Sequence, residues 1–232
     1  MIDFFALTSP NVQKIFIMLE ECELPYNTIL VDVWAGAQFT PEFEKINPLK
    51  KVPAIIDHEG PAGAPYTVIE SGAILIYLAE KTGKFIPHDP VKRYDTLQWL
   101  MVQMANVGPM FGQRVHFRRF APAGNDYGVS RYGTQVLRLY DVYEQRFAAN
   151  PYVIGDEYTI ADMAVFPWLR NHVLLDIDIG KFPAVKAWVD KISARDAVKR
   201  TLAKVATIKS SRDNATDENK DRFFGRGQFA RT

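Results

Sequence analysis

The chain has 232 residues, enough for one large or two small domains with a sizeable core. Hydrophobic content of 47% against 24% charged residues is that of a soluble globular protein, and a net charge of +1 gives no electrostatic reason to expect nucleic acid or an anionic membrane as a partner. A single cysteine, Cys22, excludes an intramolecular disulfide and a cysteine-based metal cluster, and the four histidines lack metal-site spacing, so no metal is expected.

The opening "MIDFFALTSP" has neither the basic start nor the apolar centre of a signal peptide, and no stretch approaches the roughly 18 apolar residues of a membrane span. A soluble, cytoplasmic protein is the expectation. Residues 2–7 read as a strand. In the corner that follows, Thr8-Ser9-Pro10-Asn11, Ser9 is a good helix N-cap and Pro10 suits the first helical position. Val12, Ile15, Phe16 and Leu19 then line one face of a helix that stops at Leu24-Pro25. "YNTILVDV" (26–33) is a second strand, and Thr40-Pro41 opens a short helix ending at Asn47-Pro48. "VPAIID" (52–57) and "YTVIE" (66–70) are strands joined by a Gly/Pro-rich turn. "SGAILIYLAEKTG" (71–83) is a helix capped by Ser71 and stopped by Gly83. The order β-α-β-α-β-β-α suits a small mixed sheet with helices on both faces.

After a linker at 84–90 the pattern is helical only: about 91–120, 127–149, 159–175, 183–194 and 196–206. Gly108-Pro109 should kink the first of these. Thr159 and Asp162 form a capping box in "YTIADMAVFPWL". The division is therefore residues 1–83, a linker at 84–90, an all-helical domain at 91–206 and a tail at 207–232. The tail's polar, Gly-interrupted composition favours a mobile, extended terminus over one pinned by Phe223, Phe224 and Phe229.

Three stretches carry chemistry. The corner at Ser9–Asn11 sits where a thioredoxin-like redox protein places cysteines, and here it has none. Pro53 opens an inner strand without an N–H to give the ladder. If its bond were cis, the N–H and C=O of Val52 would face outward to pair with an extended peptide. Glu70-Ser71 places a carboxylate beside a helix N-terminus, a pair able to meet the ammonium and carboxylate of an amino acid. Singly, Ser71 is more readily an N-cap, Glu70 a first-turn charge and Pro53 an edge-strand proline. Their joint order on this scaffold is what points to a ligand.

"KVPAI" and "ESGAILIYLAE" resemble the glutathione-binding signature of glutathione transferases, and "YTIADMAVFPWL" resembles the capping-box helix of their second domain. "TSPNVQK", "GAQFTPEF", "VGPMFGQ" and "SRYGTQVLRLY" are most similar to the Nu class, the branch of bacterial disulfide-bond reductases and yeast nitrogen-regulator-like proteins. The resemblance spans about residues 1–206. It implies an α/β thioredoxin-like N-terminal domain followed by an all-α domain, a homodimer, and one or two glutathione molecules per site as cosubstrate. It further implies that Val52, beside Pro53, binds the cysteinyl backbone, that Glu70 and Ser71 bind the γ-glutamyl end and that Gln38 serves the glycine side. Asn11 and Ser9 would face the sulfur as the catalytic pair, and Arg131 would meet a carboxylate of a second glutathione or of the substrate. No tyrosine precedes Tyr26 and the corner has no cysteine, so the ligand itself must bring the thiol. The expected activity is glutathione-dependent reduction of a small disulfide, with weaker transferase or peroxidase activity. The alternatives are conventional conjugation to an apolar, aromatic electrophile, in a pocket lined from Phe111 to Phe120 and Tyr127 to Tyr132, and a non-catalytic glutathione-binding regulator. Cys22, late in the first helix and near its apolar side, reads as buried and structural.

Overall fold

A computed structural model describes residues 1–230. The chain forms two compact units: Met1–Ile74 together with the chain from Arg200 onward, and Leu75–Lys199.

The first unit is built on a four-stranded sheet. Its elements are β1 (Ile2–Ala6), α1 (Pro10–Cys22), β2 (Tyr26–Leu30), a 3-10 turn (Ala37–Phe39), α2 (Pro41–Ile46), β3 (Ala54–Asp57), β4 (Tyr66–Ile69) and the start of α3 (Ser71–Thr82). The sheet order is β2-β1-β3-β4, with β1 parallel to β2 and antiparallel to β3, and β3 antiparallel to β4. This is the expected thioredoxin-like arrangement. Side chains alternate across a strand, so Phe4 and Phe5 enter opposite faces of the sheet. Phe4 meets Phe16 of α1 edge-on at 4.7 Å, and Phe5 meets Phe43 of α2 at 6.0 Å in a cluster with Val31 and Ala54. One dipeptide thus anchors a helix on each side.

The terminus departs from expectation. α10 (Asp196–Thr207) brings Arg200 and Lys204 onto Glu20 of α1, at 2.8 and 2.9 Å. The following chain is not an extended, mobile tail. Asp32 accepts from both the N–H and the hydroxyl of Ser211, at 2.8 and 2.7 Å. α11 (Asp217–Phe224) is capped by Thr216 and stopped by Gly225 in the left-handed region, and it lays Phe223 and Phe224 against Trp34, at 4.8 and 6.1 Å. Phe223 and Phe224 thus pin the segment, the arrangement that its average polarity had ranked second. Arg231 and Thr232, the last two residues of the expected tail, lie outside the described residues.

The second unit is helical: α4 (Pro90–Val102), α5 (Gly108–Arg119), α6 (Asp126–Ala149), α7 (Ile160–Leu169), α8 (His172–Leu175) and α9 (Pro183–Ser193). The expected helix at 91–120 is broken by a π-type turn, Gln103–Val107, immediately before Gly108-Pro109. The expected helix at 159–175 divides into α7 and α8 after Pro167 enters its last turn. The capping box forms as read: Asp162 accepts from the Thr159 N–H at 3.0 Å, the Val153 N–H at 2.9 Å and Trp188 Nε1 at 3.2 Å. Burial pushes this carboxyl up to about 6 despite those donors. Phe111, expected to line a pocket, is fully buried and stacked on Tyr140 at 5.6 Å, so it belongs to the core; Tyr127 is exposed.

Candidate active site

Sheet register gathers the chemistry-bearing segments. Phe5 pairs with Ala54, and Ala54 pairs with Ile69. The residues that follow β1, precede β3 and follow β4 therefore emerge at one end of the sheet. These are the Ser9–Asn11 corner, Val52-Pro53 and Glu70-Ser71. Ala6 pairs with Leu30, so the β2–α2 connection carrying Gln38 leaves from the same end. Arg131 lies in the other unit, exposed on α6.

At the corner, Ser9 caps α1: its Oγ accepts from the Val12 N–H at 3.4 Å, and its carbonyl accepts from Val12 and Gln13, both at 3.0 Å. These helix N–H groups are engaged by Ser9. The side-chain donors at the corner are the Ser9 hydroxyl and the carboxamide of the half-buried Asn11. Cys22, at the far end of α1, is buried with its Sγ 4.0 Å from Met18 Sδ, as the sequence suggested.

The Val52-Pro53 bond is cis, and β3 begins at Ala54. Gln38 sits in the 3-10 turn, 1% exposed, with no hydrogen-bond partner for its Oε1 among the described residues. A buried acceptor without a donor is uncommon and asks for an explanation. Arg222 of α11 lies over Phe39, the next residue of the same turn, at 4.7 Å.

Glu70 is exposed, and its φ of 67° puts it in the left-handed region that non-glycine residues seldom occupy. Such backbone strain is tolerated where the surrounding structure fixes it, and it clusters at functional sites. α3 begins at Ser71, one residue past Glu70. Beneath this junction lies a residue that sequence reasoning missed. Lys14 of α1 is 0% exposed, and its Nζ donates to Ser71 Oγ at 3.1 Å. Burial lowers the Lys14 amine to about 7, opposed by the Glu70 carboxylate. The signal was faint: the run Ile15–Leu19 is apolar on every side of the helix, although the spacing of Val12, Ile15, Phe16 and Leu19 alone leaves Lys14 off the apolar face.

No group of His, Cys, Asp and Glu able to hold a metal ion occurs among the described residues. No helix among them is long and apolar enough to cross a membrane.

Family models for the glutathione S-transferase N-terminal and C-terminal domains match residues 8–81 and 129–196. The chain is 45% identical over 205 residues to the disulfide-bond oxidoreductase YfcG of Escherichia coli, covering 88% of this chain and 95% of that protein. A glutathione transferase family member from Pseudomonas fluorescens, crystallised with two glutathione bound, superposes with a TM-score of 0.83 at 42% identity, covering 87% of this chain and 92% of that one. A glutathione transferase from Burkholderia graminis, with two glutathione molecules bound per subunit, gives 0.82 at 45% identity, covering 87% of each chain.

Proposed function

The chain belongs to the glutathione S-transferase family, and on that premise we propose that it is a glutathione-dependent disulfide-bond oxidoreductase in which bound glutathione supplies the reactive thiol. Weaker transferase or peroxidase activity would accompany it. The observation that carries the reading is a site without a protein thiol. The register-aligned segments Ser9–Asn11, Val52-Pro53 and Glu70-Ser71 stand at one sheet end, while Cys22 is buried elsewhere on α1.

Val52 would pair with the cysteinyl backbone of glutathione and Glu70-Ser71 would hold its γ-glutamyl end. The unpaired Gln38 Oε1 supports a ligand N–H on the glycine side. Ser9 and Asn11 then donate to the sulfur. A thiol of pKa about 8.5 is only a few per cent ionised at neutral pH. Lowering it by two units needs about 2.7 kcal/mol of preference for the thiolate, the range of two charge-directed hydrogen bonds. The thiolate attacks one sulfur of the disulfide, forming a glutathione mixed disulfide and expelling the other sulfur as a thiolate that takes up a proton. A second glutathione thiolate attacks the mixed disulfide, giving glutathione disulfide and the second product thiol. Two glutathiones are oxidised for each disulfide reduced, and no protein cysteine takes part. Arg131 is our candidate for the second glutathione's carboxylate. Asn11 has no basic atom to accept the thiol proton, which favours sulfur exchange over conjugation. A cytoplasmic homodimer with residues 1–83 as the glutathione-binding domain completes the reading.

The test is reduction of a small organic disulfide by excess glutathione, followed as NADPH consumption through glutathione reductase. Turnover should survive Cys22→Ala and fall at least tenfold in Asn11→Ala, with glutathione affinity changed much less. Loss of turnover in Cys22→Ala refutes the two-glutathione scheme. Saturable glutathione binding without turnover on disulfides, aryl halides or peroxides would instead identify a non-catalytic binding module.

A further inference from the structure

Buried lysines are costly, because a cation removed from water must be compensated, and most proteins place lysine at the surface. Lys14 lies among Val12, Ile15, Phe16, Ile17 and Met18, all fully buried. It sits three residues after Asn11, on the same side of α1, and reaches the first residue of α3. A helix needing only apolar packing has no use for it there.

We infer that Lys14 is a positioning residue for the γ-glutamyl end of glutathione, polarising Ser71 from beneath and supplying the positive charge that the ligand's α-carboxylate requires. The inference rests on reading Glu70-Ser71 as the γ-glutamyl subsite. The direction of the hydrogen bond carries it. An ammonium can only donate, so Ser71 Oγ accepts in this bond, and the hydroxyl it polarises is a stronger donor through its own O–H. A carboxylate at the start of α3 would then meet the Ser71 O–H and the helix N-terminus, with a cation one bond behind. Glu70, whose carboxylate opposes the lowering of the Lys14 amine, serves the ligand ammonium, so the two ends of the zwitterion are matched by opposite charges from different elements.

A consequence separates this role from packing. The charged group acting on Lys14 is Glu70, between β4 and α3; Glu20, on α1 itself, is engaged by Arg200 and Lys204. With its amine at about 7, Lys14 is partly neutral at physiological pH. A bound carboxylate favours the charged form, so binding draws in a proton and weakens as pH rises through that range.

S-Methylglutathione, which has no thiol to titrate, is the probe. Calorimetric titration at pH 7 in phosphate and in Tris, whose ionisation heats differ, should show net proton uptake by the wild-type protein and none by Lys14→Met. Wild-type affinity should fall about tenfold from pH 6 to pH 8, whereas Lys14→Met should bind at least tenfold more weakly at pH 6 with no such slope. In turnover the variant should raise the KM for glutathione while leaving kcat within about threefold. Lys14→Gln, which keeps a donor without the charge, should bind with intermediate affinity and a flat pH profile. A measurement on the wild-type protein alone uses S-methylated 4-aminobutyryl-cysteinylglycine, which lacks the α-carboxylate: it should bind without proton uptake. Equal uptake for both ligands, or equal uptake in wild type and Lys14→Met, overturns the inference and leaves glutathione binding intact. No binding of S-methylglutathione by the wild type overturns the glutathione reading and this inference together.

Discussion

Replacing Lys14 by methionine should make the ligand-free protein more stable, and the gain should vanish at high pH. The unfolded chain holds this amine at about 10.5 and the native state at about 7. Between those values the unfolded chain binds more protons, so the contribution to stability rises with pH across the window and is lost as pH falls towards 7. At about 1.4 kcal/mol per pKa unit, a gap of three and a half units is worth about 5 kcal/mol in full, of which about 4 kcal/mol falls on the native state at pH 7, where part of the amine has already lost its proton. Methionine has nearly the same length and reach but no charge, so it removes that cost. It also removes the bond to Ser71 Oγ, a loss of about 1–2 kcal/mol. The net expectation is about 2–3 kcal/mol of added stability at pH 7, or roughly 4–12 °C in Tm for a chain of this size. Urea unfolding of both proteins without ligand, at pH 7 and again near pH 10.5, provides the assay. By the higher pH the gain should shrink to zero or reverse to about the cost of the lost hydrogen bond. A variant less stable than wild type at pH 7, or a gain that does not change with pH, would refute the claim that Lys14 is held at the expense of stability.

Two other substitutions and a truncation test how the remaining elements are held. Asp162→Ala should destabilise the protein by about 3–5 kcal/mol in urea, because the N–H groups of Val153, Thr159 and Trp188 would be left buried without an acceptor. Because burial raises the Asp162 carboxyl to about 6, the native state takes up its proton first on acidification. The variant's deficit should therefore grow as pH falls from 6 to 4. At Glu20, burial raises the carboxyl but hydrogen bonds from Arg200, Tyr26 and Lys204 outweigh that and hold it at about 2. The partners are largely exposed, so Glu20→Gln should cost only about 1 kcal/mol at pH 7, a difference that fades as pH falls below 4.5 towards 2 in acid titrations. Ending the chain after Lys209 removes both the Ser211–Asp32 bonds and the aromatic contacts on Trp34, and should shift tryptophan emission to longer wavelength. The same truncation in a Trp34→Phe background should leave emission unchanged; an equal shift there would show that the tail does not cover Trp34.

How much of this was legible in the sequence follows from the range of the forces involved. Caps, stops and strand alternation are local, so the β-α-β-α-β-β-α order, the Ser9 cap and the Thr159–Asp162 box could be read directly. The π-type turn at Gln103–Val107 differs from a helix by one hydrogen-bond step, and hydrophobic spacing cannot register it. The terminal helix was hidden because its apolar content is one aromatic pair in a polar segment, and only the distant Trp34 gives that pair a place to bury itself.

Lys14 illustrates a different limit. In isolation "VQKIFIML" reads as an amphipathic helix with Gln13 and Lys14 towards water, and that reading follows correctly from local rules. The structure buries both residues, since α1 is enclosed along its whole length from Val12 to Leu19. A polar residue inside an enclosed helix breaks the agreement between local pattern and global fold. Such breaks are expected where a sequence gives up stability to hold a functional group in place. The left-handed Glu70, adjoining the hydroxyl that Lys14 grips, is a second break at the same junction. Two departures of independent origin, one electrostatic and one conformational, meet at the start of α3. Both lie where the proposed zwitterionic ligand would meet Glu70 and Ser71, and the pH-dependent titration of Lys14→Met tests whether that ligand is what they serve.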